Sequence, residues 1–186
     1  SGTAFSGWGF TAGAWGEYHI TELAGTLLQV EGGLLYSLHR GSGFEEEVDT
    51  DIRREATIRT GTLRLPILLS LRGNPTGSTF RLGVGLEAMF GFVSGATVTV
   101  ENTDEPPEPL YTTPVTHLGP TFLLGFDVEA TDTLLIPIEF RGSWDPMVPQ
   151  STKERFQNYT SNTNPGEYEA GFDWQFFFLT GVTYQL

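Results

Sequence analysis

Apolar and polar side chains alternate with a period of two residues along most of this chain, which constrains its fold more than any other feature. Between residues 80 and 92, even positions carry large apolar side chains such as Leu82 and Leu86. The odd positions of the same run carry Arg81, Glu87 and several glycines. Successive side chains of a β-strand point to opposite faces, so such a run predicts a strand with one apolar face. Seven runs show this pattern: residues 8–20, 26–39, 63–72, 80–92, 118–128, 134–141 and 172–186.

No helical period competes with these runs. The sequence therefore predicts a single all-β domain over residues 1–186, built as an antiparallel up-and-down β-barrel of about eight strands. No stretch approaches the roughly 20 apolar residues of a membrane-spanning helix, whereas a spanning β-strand needs only about 9–11 alternating residues. Pro66, Pro120 and Pro137 lie inside the runs. Because proline has no backbone N–H to donate, these positions predict bulges or interrupted pairing.

The composition favours a barrel with an apolar exterior and a polar lumen. Charged residues make up 18% of the chain, below the roughly 25% of typical soluble domains. The aromatic residues also concentrate near the predicted strand ends, where membrane interfaces select them. A soluble, ligand-binding barrel is the alternative, and it predicts that the same apolar side chains point inward. One predicted aromatic belt contains Trp8, Phe10, Tyr36, Phe90, Phe92, Phe140, Phe172 and Trp174, and the other contains Tyr18, Phe80 and Tyr184.

The polar face of the strands carries charged residues that we expect to meet in the lumen. An eight-stranded barrel is just wide enough for side chains to fill it, so charges placed there must pair. Acidic residues outnumber arginines, so some carboxylates are expected to be protonated, or bound to water or an ion. Such a network makes the barrel a plug and not a pore. Its predicted members are Glu17, Glu31, Arg64, Arg81, Glu87, Asp127, Glu139, Arg141 and Asp173, with Arg72 and Glu129 on the same face.

The connections between predicted strands alternate in length. Residues 21–25, 73–78 and 130–132 form short ones, and residues 41–58, 95–116 and 145–171 form long ones. This asymmetry is typical of outer-membrane barrels, whose long loops are extracellular. The acidic residues Glu45, Glu46, Glu47, Asp49, Asp51, Asp104, Glu105 and Glu108 lie in these loops. Since the spacing of a calcium-binding EF-hand is absent, we interpret them as a solvated surface and predict no metal site.

Other function classes receive little support. A net charge of −13 with a single lysine opposes nucleic-acid binding, and the absence of cysteine excludes disulfide frameworks and cysteine metal sites. A lipid-hydrolysing catalytic triad can be drawn from Ser37, His39 and Glu31, but no nucleophile-elbow motif accompanies these residues. We therefore interpret His19, His39 and His117 as polar-face residues. The sequence predicts no catalytic residue, no enzyme activity and no cofactor.

Several strand motifs resemble those of the PorT-like outer-membrane β-barrel family. The first run contains a G-x-x-A-G pattern at residues 9–13, followed by Glu17 and Tyr18. The next run, with Leu28-Gln29-Val30-Glu31, Leu35-Tyr36-Ser37 and Arg40-Gly41, resembles the family's "LQPELLYS" strand and basic-glycine turn. Residues 63–69, LRLPILL, resemble "YLEIPLLL", which accounts for Pro66. The resemblance implies an eight-stranded barrel in a bacterial outer membrane, without catalytic residues.

The seven runs leave the predicted barrel one strand short, because regular alternation of short and long connections needs an even number of strands. The eighth strand is expected from loop sequence or from another copy, since an exposed sheet edge is a template for strand addition. The leading interpretation is a non-enzymatic outer-membrane barrel, surrounded by lipid, that anchors or scaffolds through its acidic loops. The alternative is a self-assembling subunit of an extracellular or cell-surface polymer, in which a neighbouring chain completes the barrel.

Overall fold

The chain forms one antiparallel β-sheet in a computed structural model, which describes residues 6–47, 52–73, 77–100, 108–110, 116–145 and 174–184. The strands, numbered in chain order, are β1 (Ser6–Leu23), β2 (Thr26–Glu47), β3 (Ile52–Arg72), β4 (Thr79–Val100), β5 (Glu108–Leu110), β6 (Thr116–Thr131), β7 (Leu134–Trp144), β8 (Trp174–Thr180) and β9 (Thr183–Tyr184).

Seven strands lie side by side in the order β1-β2-β3-β4-β6-β7-β8, each antiparallel to the next. The short β5 pairs with β4, and β9 pairs with β7 as a continuation of β8. All seven predicted runs are therefore strands, and the all-β, up-and-down prediction is confirmed. Over the described ranges the chain contains no helix long and apolar enough to cross a membrane.

The β1–β2 connection is a two-residue turn, in which Ala24 and Gly25 have φ angles of 51° and 80°. Two consecutive positive φ angles give the turn a twist that matches the twist of the flanking strands. Glycine adopts such an angle without steric cost, whereas Ala24 is strained there. The β1–β2, β3–β4 and β6–β7 connections lie at the same end of the sheet, which we call the turn end; the opposite end is the loop end.

Each of the three prolines lies where one of its two neighbouring ladders is broken or ends. The β2–β3 pairing skips Leu65 and Pro66, and the β6–β7 pairing begins one residue after Pro120. The pairing of β7 with the last strand breaks at Pro137, which separates β8 from β9. The predicted interruptions are thus confirmed. The register shifts among the described ladders lie elsewhere, at residues 19–21, 61–62 and 129–131.

Two of the long connections are shorter than predicted. The sequence predicts a loop over residues 41–58, but β2 and β3 remain paired as a ribbon until Glu47 and Ile52. The strand β4 likewise continues to Val100, within the predicted loop 95–116. The periodicity misses these extensions because a ribbon that projects beyond the sheet is held by backbone pairing and needs no apolar face.

The ribbon also changes the interpretation of the acidic run at residues 45–47. In the β2–β3 register, Glu45 lies opposite Arg54 and Glu46 lies opposite Arg53. Part of the predicted acidic loop is therefore paired strand and not loop. The predicted acidic residues Asp49, Asp51, Asp104 and Glu105 lie outside the described residues.

The two faces of the sheet differ in polarity, and the apolar face is the exposed one. On β4, for example, Phe80 and Val84 are 68% and 67% exposed, whereas Arg81 is fully buried. The same alternation of exposed even and buried odd positions runs through β6 and β7. The apolar exterior and polar interior are as predicted, and opposite to the arrangement of a soluble ligand-binding barrel. The inner face also contains buried apolar side chains: Leu35, Leu68, Met89, Leu123 and Leu135.

The sheet curls so that its two edge strands face each other. Side chains reach across the interior, from Arg81 on β4 to Glu17 on β1 and from Arg64 on β3 to Gln175 on β8. Two clefts, of about 620 and 810 Å³, are lined by β1 on one side and by the last strand on the other. Among the described residues no backbone pairing joins β1 to β8, so the sheet is open along this line, which we call the seam.

Candidate functional site

The charged side chains of the inner face gather in two clusters. They arise because strand alternation turns every second side chain inward, and because each arginine is long enough to reach across the curled sheet. The turn-end cluster contains Arg72, Arg81 and Arg141 with Glu17, Glu31, Asp127, Glu139 and Gln29. The loop-end cluster contains Arg64, Glu87, Thr121, Ser143 and Gln175.

Arg81 is the centre of the turn-end cluster. Its guanidinium donates hydrogen bonds to Glu17 on β1 and to Glu139 on β7. It also lies 3.5 Å from carboxylate oxygens of Glu31 on β2 and Asp127 on β6. One fully buried arginine thus connects four strands through four carboxylates, an arrangement in which each buried charge has a partner.

The other arginines of the turn-end cluster share these carboxylates. Arg141 Nη2 lies 2.7 Å from Glu139 Oε2 and 3.8 Å from Glu31 Oε2. Arg72 Nε lies 3.5 Å from Asp127 Oδ2. The cluster holds three arginines and four acidic residues, which leaves a formal charge of −1. Glu17, on the edge strand β1, is the most exposed of the carboxylates, with a side chain 10% exposed.

Gln29 joins two of these acidic residues. Its amide nitrogen donates to Glu31 at 3.2 Å and to Glu17 at 3.4 Å. A neutral donor between two carboxylates reduces their mutual repulsion without adding a charge. Gln29 therefore belongs to the network although it carries no charge, which is why the sequence interpretation left it out.

The loop-end cluster is centred on Arg64 and Glu87. Arg64 donates to Glu87 and to Gln175, and its guanidinium lies 4.6 Å from the centre of the Phe177 ring. Ser143 donates to the same Glu87 carboxylate at 2.7 Å. This pair is buried and electrically neutral, and it connects β3 and β4 with β7 and β8. Thr121 extends the cluster, 3.3 Å from the Ser143 hydroxyl.

A second contact near the loop end joins His117 Nδ1 on β6 to Asp145, just beyond β7. Both side chains are largely buried. The sequence interpretation placed His117 on the polar face but did not single out Asp145, because that residue follows the last alternating position of its run. Such a pair can orient the imidazole ring, which is a structural role as well as a catalytic one.

The residues of the sketched hydrolase triad are held by different neighbours. The Ser37 hydroxyl lies 2.8 Å from the Thr11 hydroxyl, and Glu31 belongs to the turn-end cluster. The ring of His39 packs 5.9 Å from that of Phe177. Among the described residues no group of three or more histidine, aspartate or glutamate side chains is arranged to hold a metal ion.

Aromatic side chains form a continuous row on the outer face towards the loop end. Trp144 and Trp174 stack with ring centres 5.8 Å apart, and Trp174 stacks on Phe176 at 6.0 Å. Phe176 stacks on Phe140 at 5.7 Å, and Phe140 contacts Phe122 at 6.2 Å. Five rings from β6, β7 and β8 thus make one apolar surface, and two of them are tryptophans at the loop end.

The structure places most of the predicted belt residues on the outer face. Near the loop end Trp8, Phe10, Tyr36, Phe92 and Trp174 are exposed, and Phe90 is half-buried. Near the turn end Tyr18, Phe80 and Tyr184 are exposed, and the Phe80 ring lies 4.8 Å from that of Phe126. Phe172 lies outside the described residues.

The structure places most, but not all, of the predicted network members in the two clusters. The structure brings together Glu17, Glu31, Arg81, Asp127, Glu139 and Arg141 in one cluster, and Arg64 and Glu87 in the other. Glu129, predicted on the same face, is instead exposed, because it follows Asp127 at the turn end, beside a register shift. Asp173 lies outside the described residues.

No family model, curated protein or solved structure matches this chain.

Proposed function

We propose that this chain is a non-enzymatic β-barrel of a bacterial outer membrane, of the PorT-like kind, that serves as an anchor or scaffold. The observation that carries the proposal is the polarity of the sheet. Large apolar side chains cover the exposed face of every long strand, and charged side chains are buried inside. In water such a surface would drive association, because monomeric soluble proteins rarely expose apolar patches above a few hundred Å². In a bilayer the same surface meets lipid.

The filled interior favours an anchor over a channel. Arg64, Arg81 and Glu139 are among the most completely buried side chains of the chain, and they cross-link strands from opposite sides of the interior. Apolar side chains such as Leu68 and Leu123 fill further inner positions. A continuous aqueous path would need a lumen that is not packed, as in the larger porins.

The ribbon of β2 and β3 gives the proposed anchor a projecting surface. Trp8, at the level of the loop-end aromatic side chains, lies opposite Arg40. From Gly41 to Glu47 the strand continues beyond that level for about 20 Å at ~3.3 Å per residue. In the proposed orientation this ribbon is extracellular. Scaffolding contacts would therefore be made by a paired two-stranded arm.

The test is whether the chain folds without an amphiphile. Urea-unfolded protein is diluted into buffer, into detergent micelles and into phosphatidylcholine vesicles, and folding is followed by circular dichroism and heat-dependent gel migration. The expected result is a folded, heat-sensitive species in micelles and vesicles, and aggregation in buffer. A folded monomer in buffer alone would contradict the proposal, and folded soluble polymers would favour the self-assembling subunit.

A further inference from the structure

Two arginines lie opposite each other on the outer face, close to the loop end. Arg40 on β2 faces Arg59 on β3 in the register, and both side chains are exposed; we call them the arginine pair. The adjacent residues His39 and Thr60 belong to the inner face, where Thr60 is buried. Facing Cβ atoms of an antiparallel pair are about 4.5–5.5 Å apart, and like charges at this distance destabilise the pair. An anion between the two guanidinium groups would remove this repulsion.

No acidic side chain of the described residues neutralises the arginine pair. On the outer face, the positions beside the pair are Trp8 on β1 and Gly95 on β4. The nearest acidic position of this face in the described register is Glu55, four residues along β3 from Arg59 and about 13 Å away. The pair therefore concentrates positive charge on an otherwise uncharged part of the surface. The arginines that do form salt bridges in the described part of the chain are those of the interior: Arg64, Arg72, Arg81 and Arg141.

The arginine pair marks the level at which the outer face changes from apolar to hydroxyl-bearing. Towards the turn end, the next outer positions are Phe10 and Leu38, which are 68% and 47% exposed. Towards the loop end, they are Ser42 and Thr57. Trp8 lies at the level of the pair itself. Tryptophans, and arginines whose stems cover apolar surface, are typical of the level of the lipid headgroups. In the proposed membrane, the pair therefore lies at the depth of the lipid phosphates.

We propose that Arg40 and Arg59 bind the phosphate group of an anionic membrane lipid in the leaflet at the loop end. A guanidinium group presents a planar fork of N–H donors that matches phosphate oxygens, and two forks facing each other can share one phosphate. The hydroxyl groups of Ser42 and Thr57, one row further towards the loop end, are additional donors. The inference rests on the proposed function, because a membrane is what brings a lipid headgroup to this level.

The surroundings favour a lipid over a free phosphate ion. The apolar row of Phe10 and Leu38 begins directly on the turn-end side of the arginine pair and continues along both strands with Tyr36 and Leu34, which are also exposed. A lipid whose phosphate contacts the pair can therefore lay its acyl chains along this apolar surface. A free phosphate ion would use the charges alone.

Lipid retention measured by native mass spectrometry tests the proposal. The protein is folded in detergent micelles that contain equal amounts of phosphatidylglycerol and phosphatidylcholine, and the lipids that remain bound are counted. Phosphatidylglycerol should be retained over phosphatidylcholine, and the double variant Arg40→Gln with Arg59→Gln should weaken its binding at least about tenfold, because two charged contacts are lost. Arg40→Lys with Arg59→Lys should keep part of the preference, since the charge remains and the fork is lost.

The matched control is Arg53→Gln with Arg54→Gln, which removes the same net charge further along the β2–β3 ribbon. This variant should retain phosphatidylglycerol as the unchanged protein does. An equal loss in both glutamine variants would show bulk attraction of an anionic lipid and overturn the proposal. Equal retention of the two lipids, or full preference in Arg40→Gln with Arg59→Gln, would also overturn it.

A soluble anion is distinguished from a lipid in the same micelles. Excess inorganic phosphate should leave the bound phosphatidylglycerol in place, and its displacement would identify a free phosphate site and overturn the lipid assignment. Phosphatidylcholine carries no net charge, so the stability of Arg40 variants in pure phosphatidylcholine vesicles is expected to stay unchanged. Since retention needs only protein folded in micelles, failure to insert into vesicles would count against the proposed function. An inserted chain without lipid preference would count against this inference alone.

Discussion

Removal of the Arg81 guanidinium should be the most damaging single change to the interior. In Arg81→Met, Glu17 loses its ion pair and the formal charge of the turn-end cluster falls from −1 to −2. Breaking a buried ion pair from one side costs about 3–5 kcal/mol, because the remaining charge is left uncompensated. Arg72 and Arg141 still contact Asp127 and Glu139. We therefore expect the free energy of unfolding to fall by about 4 kcal/mol and not by a multiple of that value.

The assay is reversible urea unfolding in lipid vesicles, followed by tryptophan fluorescence. The matched control is Arg40→Met, because Arg40 is exposed on β2 and surface changes of this kind usually stay within about 0.5 kcal/mol. A double variant, Arg81→Met with Glu17→Gln, should recover about 1–3 kcal/mol, since the two residues are in contact. Equal effects of Arg81→Met and Arg40→Met would refute the reasoning, because they would show that water solvates the interior charges.

Three further predictions follow from the outer face, the strand contacts and the packed interior. Val84→Arg, on the outer face of β4, should destabilise the vesicle-inserted protein by about 2–4 kcal/mol, whereas Thr97→Arg, exposed further along the same strand, should be neutral in the same unfolding assay. Gly85→Ala should cost about 1–3 kcal/mol in chemical denaturation, because its Cβ would lie 2.0 Å from the Ile67 carbonyl oxygen. Gly125→Ala, whose Cβ would meet nothing closer than 3.5 Å, should stay within about 0.5 kcal/mol. Planar-bilayer recordings should show no stable conductance steps, and porin-like steps would contradict a filled interior.

The strand positions could be predicted from the sequence because successive side chains of a strand face opposite sides of the sheet, and these two sides differ in polarity. On β6 and β7, most even apolar positions are exposed, the others are half-buried, and most odd positions are buried. The broken pairing at the three prolines could also be predicted, because a missing N–H group removes a hydrogen bond at the proline itself. The β2–β3 ribbon could not be predicted in this way, because residues 43–47 and 52–57 show no alternation of apolar and polar residues.

The composition of the charged interior could be predicted, but not its pairings. Which carboxylates surround Arg81 depends on how far each strand is staggered against the next and on how the sheet curls. The alternation of residues within a single strand determines neither the stagger nor the curl. Neutral partners such as Gln29 and Ser143 were missed for a related reason, since only their neighbours across the sheet distinguish them from other polar residues.

The central claim is that the apolar face of the sheet contacts lipid and the charged face does not. It is tested most directly by single nitroxide labels at successive positions 118–127 of β6 in lipid vesicles. Accessibility to oxygen, which concentrates in the bilayer, should peak at the even positions, such as 122 and 124. Accessibility to a water-soluble nickel complex should be low at those positions. High nickel accessibility at 122 and 124, or oxygen maxima at the odd positions, would contradict the account.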